Sequence, residues 1–346
     1  MGEGPPPTPS QSHLERLPVE LIEQIFLHSV EFNLPRASLY LSRVLSNPLL
    51  YTWLIRLAFS SPNESSKSSL FTADFLPYPL NVFALSAAQR QDLQNNILTC
   101  RWCTFPLLRK CQNEYLLHVL HLQCRTLDFP AAEDRHVLSL LPTYLDDPST
   151  IPETDQTPLH PAHGDIVLAA RHSHTHTAYK IVIWTAPCAV QVRKAHQTII
   201  PSTPLYDNDT FRLPWCATEA PPRIPDRLLH GPWNDEKLAL LELLAAAGAY
   251  LDEDDGFARS RRALRQVIRE RDYATFDRLL AMYVRPAYYK YPMRWPVQGN
   301  HFRAAMKYAE ARDDPFLARL VELRWGDLNE DELLLKNEIV DWVGVS

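Results

Sequence analysis

The sequence is poor in glycine, in methionine and in long apolar runs. Nine glycines in 346 residues leave little material for phosphate-cradling loops, and neither a Gly-x-Gly-x-x-Gly nor a P-loop spacing occurs. No apolar run approaches the roughly 18 residues of a membrane-spanning helix, so no membrane span is expected. Six cysteines are scattered along the chain. That is too dispersed for a disulfide framework and fits a reducing compartment, cytoplasmic or nuclear. A net charge of −6 supplies no global basic field, so no nucleic-acid partner is expected. The local cluster Arg259-Ser260-Arg261-Arg262 lies beside the acidic run Asp252 to Asp255. Together they read as a solvated helix start of mixed charge rather than a phosphate-binding patch.

Catalytic signatures are missing too. There is no Gly-x-Ser-x-Gly elbow, no His-Glu-x-x-His and no kinase set. Asp252-Glu253-Asp254-Asp255 lacks the glycine and spacing of an EF-hand loop. A Cys188/His196 pair is of a kind that any chain this long contains. The expectation is a non-enzyme with no cofactor.

Proline is abundant, at 29 residues, and marks many helix stops and extended connections. The length suggests two or three domains. Residues 1–13 contain no basic segment followed by an apolar one, so they read as a disordered tail rather than a secretory signal. The polar stretch Ser61 to Ser69 reads as a flexible linker. Helices are expected at about 18–30, 36–45 and 48–59. Another starts at Ser86, where Ser86-Ala87-Ala88-Gln89 has the capping-box pattern, and one more follows Pro106. Residues 14–60 and 70–125 thus read as a helical module and its helical extension.

From 126 to 230 proline and histidine become frequent and helical periodicity fades. Ile166-Val167-Leu168, Lys180 to Trp184 and Ala189 to Arg193 are strand-like through β-branched and aromatic content. This segment reads as a small antiparallel sheet with long loops at Asp146 to Pro161 and Pro201 to Pro225. From 231 to 346 helical texture returns, at Leu238 to Ala247 and about 259–271, 273–284, Phe302 to Arg312 and Pro315 to Arg324. The class is therefore mainly α with a small β-containing middle.

Two resemblances refine this reading. Leu17-Pro18-Val19-Glu20-Leu21-Ile22 followed by Ile25-Phe26 resembles the start of an F-box in its filamentous-fungal form, over roughly residues 14–54. Leu17, Leu21 and Ile25 recur every four residues, and Ile22, Phe26 and Val30 form a neighbouring track, so one broad apolar face is expected. The second half departs from the family's Val-Cys-x-x-Trp-like core, with Leu41-Ser42-Arg43-Val44-Leu45 and a late Trp53. The resemblance implies a substrate-recognition subunit of a ubiquitin ligase, docking on a Skp-type adaptor joined to a cullin scaffold. It implies adaptor contacts through Leu17, Pro18, Leu21, Ile22, Ile25, Phe26, Leu41, Leu45 and Trp53. The other reading of these residues is an amphipathic helix sealed in the protein's own core.

Secondly, Leu241 to Ala249 resembles the second helix and turn of an ankyrin repeat. Phe276-Asp277-Arg278-Leu279-Leu280 and Leu317-Ala318-Arg319-Leu320-Val321 sit in comparable positions. Leu243 to Leu279 spans 36 residues and Leu279 to Leu320 spans 41, longer than the roughly 33 of that repeat. The Thr-Pro-Leu-His signature occurs only at Thr157 to His160, outside these units. An unrelated helical bundle fits the same pattern. Such pairs would stack and hold a target protein. A helical-repeat interaction scaffold without a ubiquitin role is the rival function.

Two clusters contain metal-ligand chemistry. Cys100 and Cys103 form a Cys-x-x-Cys knuckle, with Cys111, His118, His121 and Cys124 downstream. Their apolar helical setting suits core packing better. His172, His174 and His176 alternate, so on a strand they would share one face. A hairpin turn accounts for them more simply, and no metal is expected.

Overall fold

Short polar caps and prolines set the helix boundaries of the N-terminal module. The computed structural model describes residues 12–63, 70–147, 150, 165–199 and 210–343. Most of the expected tail, residues 64–69 of the expected linker, Thr157 to His160 and much of both expected loops lie outside the described residues. Extended Pro18 precedes α1 (Val19–Ser29), which ends at Val30 in the left-handed region, its N–H donating to the Phe26 carbonyl. The helix expected over 36–45 is two, α2 (Leu34–Ala37) and α3 (Leu39–Val44). Ser38 between them is extended, and its hydroxyl accepts from the Leu41 N–H, which starts a fresh helix. Asn47 caps α4 (Pro48–Phe59) in the same way. α5 (Ala87–Thr99) opens with the reciprocal Ser86–Gln89 capping box, and α6 (Phe105–Gln123) follows.

The middle segment contains one helix that the texture concealed, α7 (Ala132–Asp146), with Pro142 in its last turns. The sheet has five antiparallel strands in chain order: β1 (Leu127–Asp128), β2 (Ile166–His172), β3 (Ala178–Trp184), β4 (Ala189–Lys194) and β5 (Phe211–Arg212). Ile166, Leu168 and Ala170 point inward while Val167 is exposed, the alternation of a sheet with one face on the core.

The C-terminal part is a stack of helical pairs. α8 (Asp235–Ala246) is followed by α9 (Ala258–Glu270) and α10 (Tyr273–Ala281). A short hairpin, β6 (Tyr283–Val284) with β7 (Met293–Arg294), leads to α11 (Gly299–Tyr308), α12 (Pro315–Arg324) and α13 (Leu333–Val343). α9 packs on α10 and α11, and α12 packs on α10 and α11. The repetition is chemical as well as geometric. Asn234, Asp272 and Asp314 cap α8, α10 and α12. Arg278 of α10 reaches back to Glu242 of α8 at 2.8 Å, and Arg319 of α12 reaches back to Asp277 of α10 at 2.7 Å, each to the second helix before its own. One connected apolar core runs from Ile22 to Ile339. Among the described residues no helix is long and apolar enough to cross a membrane.

The N-terminal module is welded to the body. Arg90 of α5 is buried and donates to the carbonyls of Leu57 and Ala58 at 3.2 Å, Ser60 at 3.4 Å and Val82 at 2.6 Å. Burial pulls its pKa down to about 10. Gln94 donates to Ala58 and Trp215 carbonyls at 2.9 and 2.8 Å. The Ser61 hydroxyl accepts from the Arg212 N–H at 3.2 Å and shares a hydrogen bond of 2.9 Å with the Tyr115 hydroxyl. Ser61 and Asn63 are buried, so the start of the expected linker is a packed joint, with the Ser61 hydroxyl held by Tyr115 and Arg212.

Two outcomes follow from this packing. Arg90→Met takes its donor from the carbonyls of Leu57, Ser60 and Val82, while Ala58 keeps the one from Gln94, and should cost about 3 kcal/mol in urea unfolding; unchanged stability would show the joint to be dispensable. His301 is buried, with Nδ1 accepting from the Gln298 N–H at 3.0 Å and Nε2 lying 3.2 Å from the Arg261 carbonyl. Neutral imidazole protonated on Nε2 satisfies both. Burial, the largest cause, and the Arg261 and Arg265 charges hold its pKa down at about 4. The unfolded chain therefore binds the proton first on acidification. The folded state loses stability as pH falls from about 6.5 to about 4, by no more than roughly 3 kcal/mol. His301→Gln should flatten that part of the pH–stability curve, measured by thermal melts.

Candidate protein-docking face

α1 is apolar on two tracks, and the fold separates them. Ile22 and Phe26 are 0% and 3% exposed, whereas Leu21 and Ile25 are 49% and 40% exposed. The inner track, with Leu27, joins Leu41 and Leu45 in the core. The outer track forms a shallow cleft of about 490 Å³ with Leu17, Gln24, His28 and Ser29. Pro18 and Val19 are exposed beside it. Glu23 on α1 accepts from the Asn47 side chain at 3.1 Å, fixing the helix against the start of α4. Leu39, Tyr40 and Leu49 are also exposed, so the N-terminal module presents bare apolar side chains from three of its helices.

The nine residues expected at an adaptor surface divide accordingly. Leu21, Ile25 and Pro18 are exposed, Leu17 and Trp53 half-buried, and Ile22, Phe26, Leu41 and Leu45 buried. The single broad face expected from periodicity is corrected: four of the nine are internal packing residues and cannot touch a partner without unfolding the module.

The metal-ligand clusters do not assemble. Among the described residues no three His, Cys, Asp or Glu side chains converge as a metal site. All six cysteines are free. Burial pushes the thiols of Cys103 and Cys111 up to about 12, which disfavours the thiolate that a metal or a nucleophilic role needs. His118 stacks on Phe75 with centroids 4.2 Å apart and meets the Leu70 carbonyl at 2.6 Å. His172 ends β2, and its Nδ1 accepts from the backbone N–H groups of His174 and Thr175 at 3.3 and 3.2 Å. The three histidines thus shape a turn instead of sharing a strand face.

Sequence reasoning passed over the β6–β7 hairpin, which bares Tyr283, Tyr288, Tyr289, Tyr291 and Met293. A run of tyrosines between prolines was the available signal. Comparisons with protein-family models, with curated proteins and with solved structures find no match to this chain.

The division of α1 has a direct test. Phe26→Ala should cost about 3 kcal/mol or more in urea unfolding, the range of core truncations. Leu21→Ala and Ile25→Ala should each stay within about 0.5 kcal/mol of wild type, as surface changes do. Equal losses at all three sites would mean that the outer track is packed after all.

Proposed function

We propose that the chain is a target-binding subunit of a Skp–cullin–F-box type ubiquitin ligase. One observation supports this most: the α1 helix keeps Ile22 and Phe26 for its own core and leaves Leu21 and Ile25 bare. An internal amphipathic helix has no use for a second apolar track. A helix that must also seat on another protein does.

Magnitudes limit the docking surface. Leu17, Leu21 and Ile25 are already partly covered, so each contributes on the order of 1 kcal/mol on further burial. That is too little to offset the cost of association. The interface therefore extends over Pro18 and Val19 and takes in part of Leu39, Tyr40 and Leu49. The C-terminal helical pairs, read as divergent ankyrin-like units, would hold the target. The chain would perform no bond chemistry; it would bring a target near a ubiquitin-loaded enzyme and raise its effective concentration. Cytoplasm or nucleus is the matching location.

A second reading keeps the stacked pairs as an interaction scaffold without a ubiquitin role. The ion-pair ladder of Arg278 and Arg319 favours a rigid docking surface under either reading, so the adaptor decides between them. Leu21→Asp with Ile25→Asp should abolish co-purification of a Skp-type adaptor and leave the melting temperature near wild type. Adaptor binding at wild-type strength by that double variant, or no binding by the intact chain, would remove the ligase reading.

A further inference from the structure

Charge is segregated along the C-terminal half. Residues 259–312 contain thirteen Lys and Arg against four Asp and Glu, while both flanking segments are acidic. Three of the arginines here are committed to ion pairs: Arg259 is held by Asp226 at 2.8 Å, Arg271 by Asp314 and Arg278 by Glu242. The Asp252 carboxylate is taken up in capping α9, accepting from the Arg259 N–H at 2.7 Å.

Of the others, five are the exposed cations of α9 and α11. Arg262, Arg265 and Arg269 stand at i, i+3 and i+7 of α9, so they share one face, and all three are exposed. Among the described residues none of them meets a carboxylate at ion-pair distance. On the adjoining α11, Arg303 and Lys307 stand at i and i+4, also exposed. Arg303 reaches only the Asn300 side chain, at 3.2 Å, and Lys307 lies 5.5 Å from the Tyr308 ring. Because α9 packs on α11, the two exposed rows form a basic band shared by adjoining helices. A cleft of about 250 Å³ adjoins it, lined by Arg223, Asp226, Leu229, His230, Arg259 and Arg262. Arg223 and Arg259 share Asp226 there, which leaves Arg262 without a counter-charge.

We propose that the α9–α11 band and this cleft bind an acidic, extended segment of a partner protein. A carboxylate side chain entering the cleft meets Arg262, and further carboxylates along the segment meet Arg265, Arg269, Arg303 and Lys307. Guanidinium groups suit this because each presents a fork of donors to a carboxylate. A nucleic acid fits less well: the chain as a whole is acidic, with net charge −6, and repels a long polyanion beyond the band. Calling the acidic segment part of the ligase target rests on the receptor reading above; the binding itself does not.

The test uses the full chain and fluorescence anisotropy. The probe is a labelled 12-residue peptide alternating Glu and Gly, with a Gly-Ser peptide and a labelled single-stranded oligonucleotide as comparisons. The acidic peptide should bind, weaken several-fold as salt rises, and exceed both comparisons in affinity. Arg262→Glu with Arg265→Glu should lose at least tenfold with an unchanged melting temperature, and Arg303→Glu with Lys307→Glu should do the same from the other helix. Wild-type affinity in both double variants, no acidic-peptide binding by the intact chain, or tighter binding of the oligonucleotide would each overturn the inference. Adaptor co-purification is measured on the same samples. Peptide binding without adaptor binding would sink the receptor reading alone; adaptor binding without peptide binding would sink only this inference.

Discussion

The Arg90 guanidinium at the end of α4 is the interaction on which the arrangement depends. A helix leaves its last carbonyls without intrahelical donors, and water normally satisfies them. α4 ends inside the protein, between α5, α6 and the loop after β5, where water has no access. Arg90 answers with a fork of donors to Leu57, Ala58 and Ser60, and also holds Val82. The cost of burying that charge shows in its depressed pKa. The carbonyls in turn stabilise the cation, so neither half of the arrangement is tolerable alone. Arg56 repeats the theme one turn earlier, bonded to the Phe75 carbonyl at 2.8 Å and Glu114 at 2.7 Å, with its guanidinium over the Phe75 ring.

This joint determines what α1 can present. Helix α4 belongs at once to the N-terminal module and to the body, so α1 rests on a fixed platform through Ile22 and Phe26. Its outer track then points in a defined direction instead of riding on a tether. The C-terminal stack follows similar rules. Carboxylates cap helices or receive an arginine from the second helix on, and five positive charges without such a duty stand on the exposed sides of α9 and α11. Unpaired charge and uncovered apolar surface both cost a folded chain little on its own, and both become useful against a partner.

Much of this was legible in the sequence. β-branched residues at 166–168, 180–184 and 189–193 fall inside the three long strands, and the Ser86–Gln89 box opens a helix as its chemistry requires. The failures have physical causes. α7 begins with a polar first turn and carries Pro142 near its end, so its apolar periodicity is short. Ser61 and Asn63 have a linker's composition, yet both are buried, and the partners of Ser61, Tyr115 and Arg212, are distant in sequence. The two tracks of α1 are equally apolar, and nothing local distinguishes Ile22 from Leu21. Only the position of α3 and α4 decides which track is sealed.

A rigid joint has a consequence for the receptor reading. A flexible linker spreads a bound target over a volume that grows with linker length, and effective concentration falls accordingly. A fixed joint removes that spread and also removes reach. Any lysine modified on a target must then lie where the geometry of the α9–α11 face places it, whatever the affinity of the bound segment. Under that reading an extended acidic segment would suit a rigid receptor, because the segment's own flexible flanks would restore the reach that a fixed joint gives up. Selectivity for such a target would then reside in charge pattern and position along its chain rather than in a large complementary surface, since five cations and one cleft can read spacing but little else.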